Sequence, residues 1–236
     1  MLGVNLKAAS LRGIYMSYAK ADDCGFDKDM FRKEDIIPDC PDQFVGIIKN
    51  ANDWEDFERR SVTVDYEGVG DVKGRVILIL ESPHRDEYAR DGNGELVAKG
   101  PACGCTGCKI RRHFNLITSK KYENYELVLV NVIQYPCSLF RGRAQNGCKI
   151  RDKMIRRLLK HRVGGDRVFM ADFVSRMVCA MGKCQNLVVI NACTMVGAQI
   201  IKKQLDRMVP HAAIYATAHH PSIWHESTEL HYHERG

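Results

Sequence analysis

Four stretches of the chain carry side chains able to move protons, stabilise anions or read a polar edge, and each follows a short apolar run. ESPHRDEY (81–88) follows RVILIL (75–80), and HHPSIW (219–224) follows AAIYATA (212–218). NVIQYPCSLFRGR (131–143) closes the run ELVLVNVI (126–133), and NACTMVG (191–197) closes NLVVIN (186–191). A carboxylate such as Glu81 can activate water or offset positive charge. An imidazole such as His84 or His220 can donate to a developing anion. The Asn131 amide offers both a donor and an acceptor.

The four runs are short, rich in β-branched residues and apolar on both faces, the pattern of buried parallel strands. Around them, 110–119, 151–161, 167–181 and 195–208 repeat apolar residues at helical spacing. Strands alternating with helices predict a three-layer α/β/α fold with a central four-stranded parallel sheet. Ligands of such sheets collect outside the carboxyl ends of the strands. Glu81, His84, Asn131, Cys193 and His220 are therefore expected to converge at one rim. His219, one residue from His220, would point the other way along an extended chain.

Residues 1–70 read differently. Turn signals (DDCGFD, PDCPD) accompany a helix predicted over 41–50 and another over 54–60. They are expected to form an amino-terminal cap packed on a main domain of residues 71–236, whose tail beyond Trp224 is expected to be loosely ordered.

The 236 residues are 45% hydrophobic, which suits a folded protein and excludes a disordered composition. No apolar run spans a bilayer and the start lacks the apolar core of a secretory signal, so a soluble, cytoplasmic monomer is expected. Lys and Arg exceed Asp and Glu, 35 to 29, and basic residues crowd 109–167. That crowding suits either a polyanionic partner or the solvated faces of helices. The ten cysteines are expected to be reduced. Cys103, Cys105 and Cys108, in CGCTGC, are either incidental thiols or three zinc ligands awaiting a fourth from His113, Cys137 or Cys148.

The order of these motifs resembles the uracil-DNA glycosylase superfamily. Glu81, Ser82, Pro83 and Glu87 fall on the Glu-x-Pro motif of its iron–sulfur branch, Asn131 on the strand-terminal residue that reads the flipped base, and His220–Ser222 on the His-Pro-Ser motif. The resemblance covers residues 75–224. It implies the superfamily fold and a monofunctional enzyme that binds DNA, flips a modified base and hydrolyses its glycosidic bond.

By resemblance, Glu81 would activate water or offset charge on the sugar, with Glu87 as its alternate, and His220 would donate to the departing base. Their competing roles are fixing a loop for Glu87 and a core hydrogen bond for His220. Asn131, His84, Ala102 and Tyr135 would surround the base. Ser82, Pro83 and the Ser222 backbone would grip phosphates, with Arg141 and Arg143 as further contacts. Trp224 would fill the gap left by the flipped base, or else pack in the core.

The chain departs from the pattern where it has Ser82 in place of an Asp, His84 in place of a gating Tyr, and Ala102–Cys103 in place of a stacking aromatic. These changes predict a roomier, more polar pocket and a base bulkier than uracil, such as a phage hypermodified cytosine. No cofactor is required on this reading. An iron–sulfur cluster is disfavoured because Cys24 and Cys40 are far apart, and Cys137 and Cys148 have altered spacing. Rival readings are plain uracil excision, a DNA-binding protein that has lost catalysis, and a histidine-based metallohydrolase.

Overall fold

The computed structural model describes residues 37–49, 60–61, 71–137, 147–163, 165–217 and 219–232. Strands β1 (Gln43–Ile47), β2 (Arg60–Ser61) and β3 (Gly74–Leu80) come first, then a hairpin of β4 (Tyr88–Arg90) and β5 (Leu96–Ala98). Helix α1 (Cys105–Ile117) leads to β6 (Tyr125–Asn131) and helix α2 (Gly147–Lys160). A small hairpin of β7 (Arg162–Val163) and β8 (Asp166–Arg167) precedes α3 (Val168–Met181). The chain continues through β9 (Leu187–Asn191), α4 (Met195–Met208), β10 (Ala213–Thr217) and β11 (Leu230–Tyr232).

The four apolar runs form the parallel centre of one sheet, in the order β10-β9-β3-β6. The sheet is wider than four strands and is mixed. β11 adds antiparallel to one edge, and β1 followed by the two-residue β2 adds antiparallel to the other, making seven strands in all. Two expectations are corrected here. Residues 43–47, predicted within a helix over 41–50, form a strand against β6, with Gln43 opposite Leu129 and Ile47 opposite Glu126. β1 and β2, which precede residue 70, thus pair into the same sheet as the later strands. The apolar, β-branched QFVGI pairs well in a sheet, and Gly46, at φ 138, takes up the register shift after Phe44. The tail is likewise tied down where Leu230–Tyr232 pairs with β10.

Alternation along the strands sorts the core into two clusters. Val76, Leu78 and Leu80 pack with Ile110, Phe114 and Ile117 of α1 and with Trp224. Ile77 and Ile79 pack with Met154 and Leu158 of α2, Phe173 and Met177 of α3, and Ile201 and Leu205 of α4. Every residue of β3 is buried, which explains why its sequence shows no polar alternation.

Two buried ionic groups fasten this frame. Arg75 donates from Nε to Glu126 Oε2 at 2.6 Å and from Nη1 to the carbonyl of Ala180 at 2.7 Å, binding neighbouring strands to the last turn of α3. Arg176 of α3 donates to Asp42 Oδ2 at 2.5 Å and to the Asn131 carbonyl at 2.9 Å, while Asp42 Oδ1 accepts from the Asn131 N–H at 3.0 Å. The segment leading into β1 is thus bound to the end of β6. Removing one partner of such a pair strands a buried charge, costing about 3–5 kcal/mol. Glu126→Ala is expected to lower unfolding stability by that order, read as a reduced urea midpoint with an unchanged slope.

Candidate active site

Within the parallel centre the strand order reverses once. From β3 the chain moves to β6 on one side, then returns to β9 on the other. The crevice outside the carboxyl ends of β3 and β9 is therefore the place where the fold leaves room for a ligand. A cavity of about 210 Å³ opens there, bounded by Glu81–His84, Asp86, Glu87, Gly104–Thr106, Arg151, His220 and Ser222, with Leu80 at its base. No Phe, Tyr or Trp is among its described lining residues.

Glu81 leaves β3 directly into this crevice and is 3% exposed. Its carboxylate accepts from the Thr194 hydroxyl, which follows β9, and from the N–H of Gly197 in the first turn of α4. Arg151 of α2 approaches its other oxygen, Nε to Oε2, at 3.6 Å. Burial pushes the Glu81 carboxyl above the usual range, opposed first by Thr194 and then by the Arg151 charge. A carboxylate at a helix N-terminus with a cation beside it is a supported negative charge. Gly197 is needed for this approach, because a Cβ there would lie 2.8 Å from Glu81 Oε1.

The two histidines are placed by one device used twice. Each caps a 3-10 turn, His84 just after Pro83 and His220 just before Pro221. His84 Nδ1 accepts from the Asp86 N–H at 3.4 Å, and His220 Nδ1 accepts from the Ser222 N–H at 3.3 Å. Ser222 Oγ lies 3.1 Å from the same His220 nitrogen. A backbone N–H can only donate, so Nδ1 of neutral His220 carries no proton and Nε2 carries one. Burial, then the charge of Arg151 and then His84, lower the His220 pKa from 6.5 to about 4. At neutral pH this side chain is an uncharged imidazole with an Nε2–H to give.

Other expected site residues are placed elsewhere. Asn131 is wholly buried, its Nδ2 4.0 Å from Cys40 Sγ and its Oδ1 without a hydrogen-bond partner among the described residues. It does not line the cavity, because its main chain and the Asp42–Arg176 network lock it at the end of β6. Ala102 is 2% exposed and packs with α1 and Trp224, not against the cavity. Tyr135 packs edge-on against Phe169, with ring centroids 6.2 Å apart. Trp224 is 1% exposed and donates from Nε1 to the His219 carbonyl at 3.0 Å, so its role is core packing. Cys193 is buried against β3, its Sγ 4.0 Å from the Ile79 carbonyl.

Glu87 does line the cavity, and its Oε1 accepts from the Ala102 N–H at 2.6 Å, which fixes the 100–104 loop. Ser82 and Pro83 form part of the rim. The Ser222 N–H, expected to meet a phosphate, is directed at His220 instead. Arg141 and Arg143 lie outside the described residues. Cys103, Cys105 and Cys108 are exposed, whereas His113 and Cys137, two of their proposed fourth ligands, are buried. Among the described residues no group of three or more His, Cys, Asp or Glu side chains could hold a metal ion. No helix among them is long and apolar enough to cross a membrane.

Sequence reasoning missed Arg151, Thr194, Gly197, Asp86 and Thr106 as contributors. Thr194 and Gly197 sit in NACTMVG, a strand tail that the sheet rule had already marked. Arg151 carried no signal, being one basic residue among many in a helix.

No protein-family model, curated protein or solved structure matches the chain.

Protonation of His220 is disfavoured in the folded chain but not in the unfolded one. Below pH 6.5 the unfolded chain binds a proton that the folded chain refuses, so acidification from 6.5 towards 4 drains stability through this group. NMR titration of the imidazole is expected to give a midpoint near 4, and His220→Gln is expected to flatten the acid loss of stability over that window. Gly197→Ala is expected to cost about 1–3 kcal/mol by overpacking against Glu81, measured by thermal or urea unfolding.

Proposed function

We propose that the protein is a monofunctional DNA glycosylase that excises a modified pyrimidine bulkier than uracil. The three-layer α/β/α architecture of the uracil-DNA glycosylase superfamily fits the two core clusters that alternate along β3. The single observation that carries the reading is the meeting of Glu81 and His220 in one cavity at the strand-order reversal, with the His220 proton on the nitrogen left available.

The target nucleotide is extruded from the stack so that its glycosidic bond becomes reachable. As that bond breaks, its electron pair goes to the base and positive charge develops on the sugar. Neutral His220 donates a hydrogen bond from Nε2 to the base oxygen that gains charge, as an uncharged imidazole can do for an oxyanion. Glu81, steadied by Thr194, Gly197 and Arg151, offsets the sugar's charge and orients the water whose oxygen bonds to the anomeric carbon. The water's proton leaves through a carboxylate, Glu81 or its neighbour Glu87. No cofactor takes part, and the chain acts as a monomer.

Ser82 and Pro83 grip backbone phosphates at the rim, with Arg141 and Arg143 as further contacts and the basic faces of α1 and α2 supplying salt-sensitive affinity. With Trp224 in the core, Ile223, which is 50% exposed beside His220, takes over filling the vacated stack. The polar lining supports the bulky substrate. Ser82, His84, Asp86, Thr106 and Arg151 offer hydrogen bonds to a substituent and no flat aromatic ring to a bare pyrimidine.

Duplexes carrying uracil, 5-hydroxymethylcytosine or its glucosylated form, treated with protein and then with alkali, test the reading. Strand cleavage at the larger base is expected, falling about 10²–10³-fold in His220→Ala and also falling in Glu81→Ala. Rapid release of uracil alone would sink the bulky-base assignment. Tight binding with no abasic site in any duplex would mean a DNA-binding protein instead.

A further inference from the structure

Apart from the part-buried Cys179 and Cys184, the thiols of the described residues fall into two populations. Cys40, Cys137 and Cys193 are buried, and burial pushes each thiol well above its ordinary pKa. They are poor nucleophiles and poor oxidation targets. Cys103, Cys105 and Cys108 are exposed.

Within that second group, Cys105-Thr106-Gly107-Cys108 forms a C-x-x-C pair on the first turn of α1. Residues three apart on a helix project from neighbouring positions, with Cβ atoms about 5–6 Å apart. A small adjustment of the helix end brings such a pair within disulfide reach. Ile110 and Phe114 occupy the opposite, buried face of the helix, so neither thiol is committed to the core. The turn has no side-chain cap to restrain it.

The surrounding frame is fixed. A side chain on Gly107 would collide with the Ala102 carbonyl, and the Ala102 N–H is held by Glu87. A side chain on Gly104 would meet Asp86 Oδ2 at 2.9 Å. The close loop thus demands glycine between the two cysteines and just before them. Cys105 and Thr106 also line the cavity that holds Glu81 and His220.

We propose that Cys105 and Cys108 form a reversible dithiol–disulfide site at the mouth of that cavity, oxidised by low-molecular-weight disulfides. The Cys105 thiolate attacks one sulfur of glutathione disulfide, forming a mixed disulfide and releasing one glutathione thiolate. Cys108, having lost its proton to solvent, attacks the Cys105 sulfur and releases the second glutathione. The protein loses two hydrogens and the reagent is reduced to two thiols. The mixed intermediate places a tripeptide at the cavity mouth, and the closed disulfide draws the Cys105 sulfur towards Cys108. The site exists whatever reaction the cavity performs.

The test uses the full chain incubated with glutathione disulfide, then intact mass and tandem mass spectrometry of the 100–109 peptide. The expected product has lost two hydrogens, with the link between Cys105 and Cys108. Cys108→Ser is expected to retain a stable glutathione adduct at Cys105. Cys103→Ser is expected to form the link as the unaltered chain does. Adducts that persist in the unaltered chain would overturn the proposal, as would loss of the link in Cys103→Ser.

Discussion

The Glu81 carboxylate is the interaction on which the architecture of the cleft depends. It ends the central strand, accepts from the hydroxyl and the N–H that begin α4, and stands beside the guanidinium of Arg151 on α2. Three elements distant in sequence are therefore held against one buried charge. A carboxylate in such a place costs desolvation free energy, and the cost is bearable only because each partner is present. The same partners that keep the fold together aim one polarised group into the crevice. Structure and chemistry are not separable at this residue.

The rim is completed by two histidines, each capping a short turn made rigid by a neighbouring proline. The cap settles which ring nitrogen is engaged and therefore which can serve a ligand. At His220 the nearby Arg151 cation adds to burial in keeping the ring neutral. One arginine thus acts on both members of the pair, drawing Glu81 towards its charged form and His220 towards its uncharged form. Poising a carboxylate and an imidazole in opposite senses is how one cavity holds both a negative charge and a neutral donor.

Away from the cleft, buried ionic groups do the fastening. Arg75 with Glu126 closes the opposite end of the central strands against α3. Arg176 with Asp42 binds the chain before β1 to the end of β6, and in doing so immobilises Asn131. An amide that sequence order marks as a reader of ligands is thereby locked into the frame. Trp224 and Tyr135 met the same outcome, since large aromatic rings gain most by burial.

The sequence by itself determined the four parallel strands, the helices between them and the convergence of Glu81, His84 and His220 at one edge. Apolar period and strand-end chemistry are local properties that any reader of the chain can count. It did not determine that residues 43–47 join the sheet as a strand, because their antiparallel partner β6 lies far away in sequence. Nor did it separate Cys105 and Cys108 from the buried cysteines, or single out Arg151 among neighbouring basic residues. Those distinctions depend on burial and on contacts across the sheet, which only the tertiary structure supplies.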